Sequence, residues 1–282
     1  MADMTGTSDT RPPNILVCVK FVPDPNQLQA DASGHPDLAR APFRISTFDE
    51  NAIEAALQLS TRHGGHIFGV SVTSGQVPPR DVLLRTLAMG VEVLYLIKDE
   101  ARLAADPYRV AAVLAAAARA IQSAENIPSW DLVIAGEASA DQFNAQIGPR
   151  VAMALDLPAI AYATKLELQH GRLIANRATD ERSETLEVDL PALVTVGTEI
   201  NQARMPTVLQ VMGAARKPIR EIVIEELPGI DLDALERRPS LRTIDISAPP
   251  SARKRIVIEG QDAAEMASHL LSRLGTDGEV KF

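Results

Sequence analysis

Short apolar runs and amphipathic stretches alternate along the first half of the chain. Apolar runs at residues 14–20, 66–72, 93–97 and 131–135 have the length of buried strands. Helix patterns separate these runs, from Ser46 to Gly64, at 79–89 and at 108–123, and another follows the last run. Strands and helices that alternate at this pace predict a parallel sheet with helices on both faces.

The ends of these helices carry capping signals. Thr47 and Glu50 have the spacing of a capping box, which predicts that both side chains cap the first helix. Asp106 and Pro107 suit an N-cap and a first-turn position. Pro149 fits a helix only in its first turn, so the last of these helices is predicted to start at residues 146–148.

The pattern changes after residue 158. Segments 163–168, 172–179 and 184–189 alternate apolar and polar residues, as antiparallel strands do, and 192–195 is a short apolar strand. The sequence predicts a disordered leader at 1–13, an α/β domain at 14–227, and an extended arm at 228–282. The arm ends in an amphipathic helix at 261–274. We expect the arm either to wrap a partner or to pack back on its own chain.

Four junctions are predicted to meet at one edge of the sheet. Ligands of parallel α/β sheets bind beyond the carboxyl ends of the strands, where residues 21–26, 46–49, 74–77 and 136–148 would lie. The loop at 136–148 leads into a helix N-terminus, whose free N–H groups can hold a phosphate. The pattern therefore predicts that these junctions enclose one nucleotide.

Composition and charge exclude several classes of function. A net charge of −9 argues against nucleic acid and anionic membranes as partners, and no apolar run is long enough to insert into a membrane. The single cysteine, Cys18, fits a reducing compartment, and the polar start is no signal peptide, so a cytoplasmic location is expected. No metal-ligand cluster and no catalytic motif is found. A carrier, a sensor, or a subunit whose chemistry belongs to a bound cofactor fits best.

Several motifs, in a fixed order, resemble those of the beta subunit family of electron transfer flavoproteins. They are ILVCVK at 15–20, FDE at 48–50, LAMG at 87–90, Gly136 through Asp141 to Gln146 and Gly148, TDERSETL at 179–186, LPALVT at 190–195, and Asn201 with Arg204. The similarity runs from about Asn14 to Pro218, with a weaker match in the tail.

The resemblance implies an α/β fold: a parallel-sheet nucleotide-binding domain, adenine nucleotide alpha hydrolase-like, with a small antiparallel segment and an extended C-terminal arm ending in a helix. It also implies a heterodimer with an alpha subunit that makes most contacts to a shared FAD. The beta subunit would hold AMP or a second FAD. Electrons would pass from flavin dehydrogenases to a quinone oxidoreductase or another acceptor, and the chain itself would carry no catalytic residue.

Carried over by position, the resemblance assigns nucleotide contacts to the same four junctions. Phe48 would approach the flavin. A recognition loop for dehydrogenases falls on 196–204, with Ile200 as its apolar anchor and Arg204 at its end. The implied cofactor-binding residues are Cys18, Ser46, Thr47, Phe48, Asp49, Ser74, Gly75, Gly136, Glu137, Ala138, Ser139, Ala140, Asp141, Gln142, Phe143, Asn144, Ala145, Gln146 and Ile147.

Some positions depart from the family pattern. Asp180 to Thr185 lacks the usual glycines, so the hairpin tip there must differ, and Gln202-Ala-Arg204 lacks the usual proline. Phe143 stands where a glycine-flanked carboxylate is expected, and Pro23-Asp-Pro25 indicates a fixed turn, which together favour AMP over a second FAD. A bifurcating carrier with two FAD remains the alternative. Two further alternatives are a nucleotide sensor of the universal stress protein type and a scaffold with an empty site.

Overall fold

A computed structural model describes residues 11–31, 33–38, 40–75, 77–99, 106–179, 181–238, 241, 243–247 and 255–278; of Ser74 it describes the backbone alone. The chain divides into two compact units, residues 1–246 and 247–282. The strands are β1 (Asn14–Cys18), β2 (Phe21–Pro23), β3 (Phe43–Ile45), β4 (His66–Ser74), β5 (Val93–Asp99), β6 (Leu132–Gly136), β7 (Ala159–Gln169), β8 (Arg172–Ala178), β9 (Ser183–Asp189), β10 (Ala192–Val196) and β11 (Ile219–Val223). The helices are α1 (Thr47–His63), α2 (Arg80–Ala88), α3 (Pro107–Ala124), α4 (Ile147–Leu155), α5 (Val208–Ala214), α6 (Leu232–Arg237) and α7 (Ala263–Thr276).

A nine-stranded sheet organises the first unit, in the order β11-β5-β4-β1-β6-β10-β7-β8-β9. Neighbouring strands from β11 to β7 run parallel, and β8 and β9 continue the sheet antiparallel. The predicted α/β fold with a mostly parallel sheet is thus confirmed. The segment predicted as antiparallel extends this sheet, while β2 and β3 form a small antiparallel sheet of their own.

The strand order places a crevice between β1 and β6. From β1 the chain moves outward to β4 and β5 and then returns to β6 on the other side of β1. Such a reversal separates the connections that leave the two strands and opens a crevice at their carboxyl ends. The loops after β1 and β6 begin at this crevice.

Apolar layers cover both faces of the sheet. One layer joins the sheet to α1 and α2, and the other joins it to α3 and α4. The alanine-rich face of α3 lies close to the strands, and the indole of Trp130 fills the space beside it, donating Nε1–H to the Ala118 carbonyl (2.9 Å). All five residues of β1, β6 and β10 are buried, which accounts for their nearly continuous apolar sequences.

The capping box predicted at the start of α1 is wrong. Ser46 is the N-cap, and Thr47 is already the first helical residue. The Glu50 carboxylate, which the prediction assigned to the cap, instead pairs with Arg44 and Arg85 at 3.1 Å each. Two neighbouring guanidinium groups attract a carboxylate more strongly than one backbone N–H does.

The structure describes only part of the predicted leader and of the predicted C-terminal arm. Residues 1–10 of the predicted leader lie outside the described part of the chain. Arg11 pairs with Asp131 at 2.7 Å and the Pro13 carbonyl accepts the His66 N–H at 3.0 Å, so the end of that segment contacts the sheet. In the predicted arm, Asp231 caps α6 by accepting the Ala234 N–H at 2.8 Å.

The hairpin between β8 and β9 closes without the family's glycines. Asp180 lies outside the described residues. On either side of it, the Thr179 N–H donates to the Arg182 carbonyl (2.8 Å), and the Thr179 hydroxyl accepts the Arg182 N–H (3.2 Å). The threonine side chain therefore closes the tip of this hairpin.

Candidate nucleotide site

One buried carboxylate joins the carboxyl ends of the two central strands. Asp49, in the first turn of α1, accepts the Lys20 N–H after β1 (2.7 Å) and the Gly136 N–H at the end of β6 (3.2 Å). Asp49 is only 5% exposed to solvent. Burial raises the pKa of Asp49 to about 7, although both N–H bonds favour its ionised form. The start of α1 is thereby fixed across the crevice.

A glycine is required where Asp49 meets β6. A Cβ on Gly136 would lie 2.5 Å from Asp49 Oδ1 and 2.7 Å from Phe48 Cβ, closer than such atoms approach in proteins. Gly136 therefore permits the tight packing of β6 against the first turn of α1.

The loop after β6 is tied to the start of α1. The Ser46 hydroxyl makes no capping hydrogen bond to α1 and accepts the Ala140 N–H at 3.3 Å. The Glu137 N–H donates to the Val196 carbonyl at the end of β10 (2.9 Å). These bonds bring the predicted segments 46–49 and 136–147 together beside the end of β1.

Lys20 lies over this loop. Its ammonium donates to both Asp141 oxygens (2.8 and 2.7 Å) and lies 3.4 Å from the Ser139 hydroxyl and the Gln142 amide oxygen. Burial acts to raise the pKa of Asp141, but the Lys20 charge and hydrogen bond outweigh it and hold that pKa below its ordinary value. The sequence analysis named Lys20 only within the ILVCVK motif and did not assign it to the nucleotide site. The signal that could have identified it is its position, as a cation directly after a central strand.

Two residues of the loop have left-handed backbones. Phe143 has φ 52° and Ala145 has φ 53°, a region that residues other than glycine rarely adopt. The Phe143 ring packs edge-on against Phe48, with centroids 5.5 Å apart, and is 64% exposed as a residue. Strained backbones of this kind are common at ligand sites.

The N-terminus of α4 carries no side-chain cap. The helix begins at Ile147, as the position of Pro149 predicted, and the amide oxygen of its N-cap, Gln146, is occupied by the Arg150 guanidinium (3.0 and 2.8 Å). No acidic residue lies in its first turn. These N–H groups can therefore bind an anion such as a phosphate.

Cys18 and the end of β4 complete the sheet edge. Cys18 is buried, and burial, with a smaller contribution from Asp49, raises the pKa of its thiol to about 12, so it stays neutral and unreactive. Ser74 and Gly75 lie at the end of β4, where the Gly75 N–H donates to the Asp99 carbonyl of β5 (3.2 Å). They are thus placed on the far side of β1 from the loop after β6.

The described residues contain neither a membrane-spanning helix nor a metal-ligand cluster. No helix in the described part of the chain is long and apolar enough to cross a membrane. Within the same residues, no three His, Cys, Asp or Glu side chains are grouped so that they could hold a metal ion.

Comparison with known proteins identifies the family. A model of the electron transfer flavoprotein domain matches residues 38–227. The electron transfer flavoprotein subunit beta of Bacillus subtilis is 32% identical over 95% of this chain and 99% of its own length. That of Thermoanaerobacterium thermosaccharolyticum is 30% identical over 93% of this chain and 98% of its own. The chain belongs to the electron transfer flavoprotein beta subunit family. Its role is therefore in electron transport, as part of a flavoprotein.

In the segment predicted to form a recognition loop, the apolar anchor is not the most exposed side chain. Ile200 is half-buried and packs against the core, and Arg204 pairs with Glu54 of α1 at 2.6 Å. The exposed apolar side chains come directly after this segment, with exposures of 66–79%: Met205, Val208, Leu209 and Met212. The sequence signal for them was the run of apolar residues around Thr207, which caps α5 with a capping box.

Proposed function

We propose that this chain is the beta subunit of a heterodimeric electron transfer flavoprotein in the cytoplasm. The complex accepts electrons from flavin dehydrogenases and passes them to a quinone oxidoreductase or another acceptor through a FAD shared with the alpha subunit. Likeness to two curated beta subunits over 93% and 95% of this chain carries the proposal, because it includes the antiparallel strands and the C-terminal segment. A sensor built from the parallel-sheet domain alone has no use for these parts.

The nucleotide that this chain itself holds is AMP. The uncapped N-terminus of α4 offers N–H groups for its phosphate, and the loop at 136–147 is held in place by Asp49, Ser46 and Lys20. A second FAD needs open space beyond the phosphate. Here the strand pair β2 and β3 closes the base of the 21–43 connection, and the Asp24 N–H bonds the Pro42 carbonyl (2.8 Å). This closed connection favours the smaller ligand.

The chain contributes binding and orientation rather than chemistry. FAD, when bound, supplies the one- and two-electron transfers. We assign Phe48 as the side chain that approaches the flavin, because it is aromatic, follows Ser46 and Thr47 at the crevice, and is braced by Phe143 at 5.5 Å. The neutral Cys18 thiol forms part of the apolar base and takes no part in electron transfer.

Dehydrogenases dock on the exposed apolar side chains of Met205, Val208, Leu209 and Met212, here named the docking surface. Clustered exposed side chains of this type mark protein contacts, and a few of them carry most of the binding energy. Ile200 and Arg204 support this surface from beneath, since one packs on the core and the other pairs with α1. The earlier assignment of Ile200 as the anchor is the alternative to be tested.

Co-expression with an alpha subunit tests the proposal. The heterodimer is expected to be yellow, to be reduced by a flavin dehydrogenase with its substrate, and to reduce a quinone-linked acceptor. The full chain expressed alone is expected to hold little flavin, because most FAD contacts belong to the other subunit. Stoichiometric FAD on the isolated folded chain, or a colourless heterodimer, would refute this assignment.

A further inference from the structure

A row of buried polar side chains on α1 holds the segment that leads to the docking surface. Asn51 donates Nδ2–H to the Asn201 carbonyl (2.8 Å) and to its side-chain oxygen (3.0 Å). Asn201 returns a bond from its own amide to the Asn51 carbonyl (3.0 Å). Asn51 is only 6% exposed, so this reciprocal pair takes the place of water on its side chain.

One turn further along α1, Glu54 forms a two-point ion pair with Arg204. Arg204 donates Nε–H to Glu54 Oε2 (2.8 Å) and Nη2–H to Oε1 (2.6 Å), and Gln58 adds a bond to Oε1 (2.9 Å). The Glu54 side chain is 3% exposed and the Arg204 side chain 52%. Burial acts to raise the pKa of Glu54, but the Arg204 and Gln58 hydrogen bonds outweigh it and keep that pKa below its ordinary value. The fork geometry fixes the direction of the arginine as well as its distance.

A third contact reaches the docking surface itself. Arg85 of α2 pairs with Glu50 of α1 at 3.1 Å, and its Nη2 lies 3.6 Å from the Met205 sulfur. The five-residue segment 201–205 is thus contacted at three positions. Asn51 contacts residue 201, Glu54 contacts residue 204, and Glu50 reaches residue 205 through Arg85. That segment has no regular secondary structure of its own.

The docking surface depends on such support because α5 is short. An isolated helix of 7 residues is unstable in water, and the side chains that α5 exposes gain nothing from the core. Contacts of α5 with α2 and the burial of Ala214 secure one end. The direction in which the chain enters α5 is set by the segment 201–205.

We propose that Glu54 and Asn51 are positioning residues for partner docking, which hold the docking surface in the pose that a flavin dehydrogenase recognises. The inference rests on the proposed function. The same helix carries Asp49 in its first turn, at the proposed nucleotide site, so one element, α1, sets the position of both the bound nucleotide and the docking surface. Arg204 acts inward, on Glu54, rather than on the partner.

Steady-state kinetics of the Glu54→Gln heterodimer tests the proposal. From a panel of flavin dehydrogenases, the one that reduces the wild-type heterodimer fastest serves as the probe. Glu54→Gln removes the charge but keeps the shape, and it is expected to raise the KM for that dehydrogenase about tenfold with kcat nearly unchanged. Its flavin content, AMP content and rate of reduction by dithionite are expected to match the wild type. Backbone amides of 201–214 are expected to exchange faster.

Glu184→Gln is the control, because it breaks the ion pairs of Glu184 with Arg177 (2.7 Å) and Arg182 (2.8 Å) on the β8–β9 hairpin and leaves α1 intact. It is expected to leave KM and the exchange of 201–214 unchanged. Arg204→Lys keeps the charge but not the fork, and an intermediate KM supports the proposal. A lower melting temperature of Glu54→Gln with an unaltered KM overturns it. If no dehydrogenase reduces the wild-type heterodimer, the proposed function itself fails, which is a distinct result.

Discussion

At the scale of single residues, Asp49 is the group on which the site depends most. It accepts one N–H from the end of β1 and one from the end of β6, and it stands in the first turn of the helix between them. The resemblance pointed to this residue as a nucleotide contact. Its role as a clamp between two strands was not predictable, because the Lys20 and Gly136 N–H groups meet it only once the sheet order is formed.

The raised pKa of Asp49 predicts a pH dependence of stability. An acid whose pKa is higher in the folded chain holds its proton more tightly there, so the free energy of unfolding falls as pH rises from 3.8 toward about 7. One such group contributes a slope of at most about 1.4 kcal/mol per pH unit. Urea unfolding across this range is expected to lack that decline in Asp49→Asn. Equal slopes in the two proteins would contradict the raised pKa of Asp49.

Gly136→Ala is predicted to abolish most of the nucleotide binding of this chain. The added Cβ would lie 2.5 Å from Asp49 Oδ1 and 2.7 Å from Phe48 Cβ, so the clamp must open. We expect about 1–3 kcal/mol of lost stability and a marked loss of AMP on purification. Gly213→Ala, a helical position with nothing within 4 Å of the new Cβ, is the control and is expected to retain AMP. Normal AMP content in Gly136→Ala counts against the predicted site.

At the scale of elements, the sequence predicted β1, β4 to β10, α1 to α4 and α7 because each carries its own periodicity or capping signal. The apolar runs of β1 and β6 and the N-cap Asp106 of α3 are examples, and the structure confirms them. It did not predict β11. The exposed residues Arg220 and Glu221 interrupt this strand, so its five residues contain no apolar run. Nor did it predict β2 and β3, three residues each, which pair across a long connection.

The resemblance assigned Ile200 as the apolar anchor of the recognition loop, and this assignment stays a prediction. Side-chain direction depends on the 3-10 turn at Thr198–Ile200, which packs Ile200 against the core. Three of the exposed side chains, Val208, Leu209 and Met212, belong to α5, whose short apolar sequence does not show whether it is buried. Burial of a short segment follows from its tertiary neighbours rather than from its composition.

Truncation of Leu209 and of Ile200 is predicted to have different effects. Leu209→Ala removes a side chain that is 79% exposed, so it is expected to raise the KM for a dehydrogenase, with a loss of about 2 kcal/mol in docking, and to leave stability nearly unchanged. Ile200→Ala is expected to lower the free energy of unfolding by about 1 kcal/mol and to change KM less. Stopped-flow reduction and urea unfolding measure the two effects. The opposite pattern restores Ile200 as the anchor.

At the scale of the whole molecule, the chain combines a candidate nucleotide site, a helix that begins at that site, and an exposed apolar surface beside that helix. Residues 136–147 and 46–49 meet through bonds that a parallel sheet with this strand order makes possible. No described group of side chains offers metal ligation, and Cys18 is held as a neutral thiol. The proposed function requires no more of this chain than that it bind and orient a cofactor, because the cofactor supplies the chemistry.

The most direct test of this account is the nucleotide content of the heterodimer. The full chain is co-purified with its alpha subunit and denatured, and the released small molecules are quantified by mass spectrometry and absorbance. The account predicts one FAD and one AMP per heterodimer, because the closed 21–43 connection and the Phe48–Phe143 pair leave room for AMP at the loop of this chain. Two FAD with no AMP, or a heterodimer free of flavin, would contradict it.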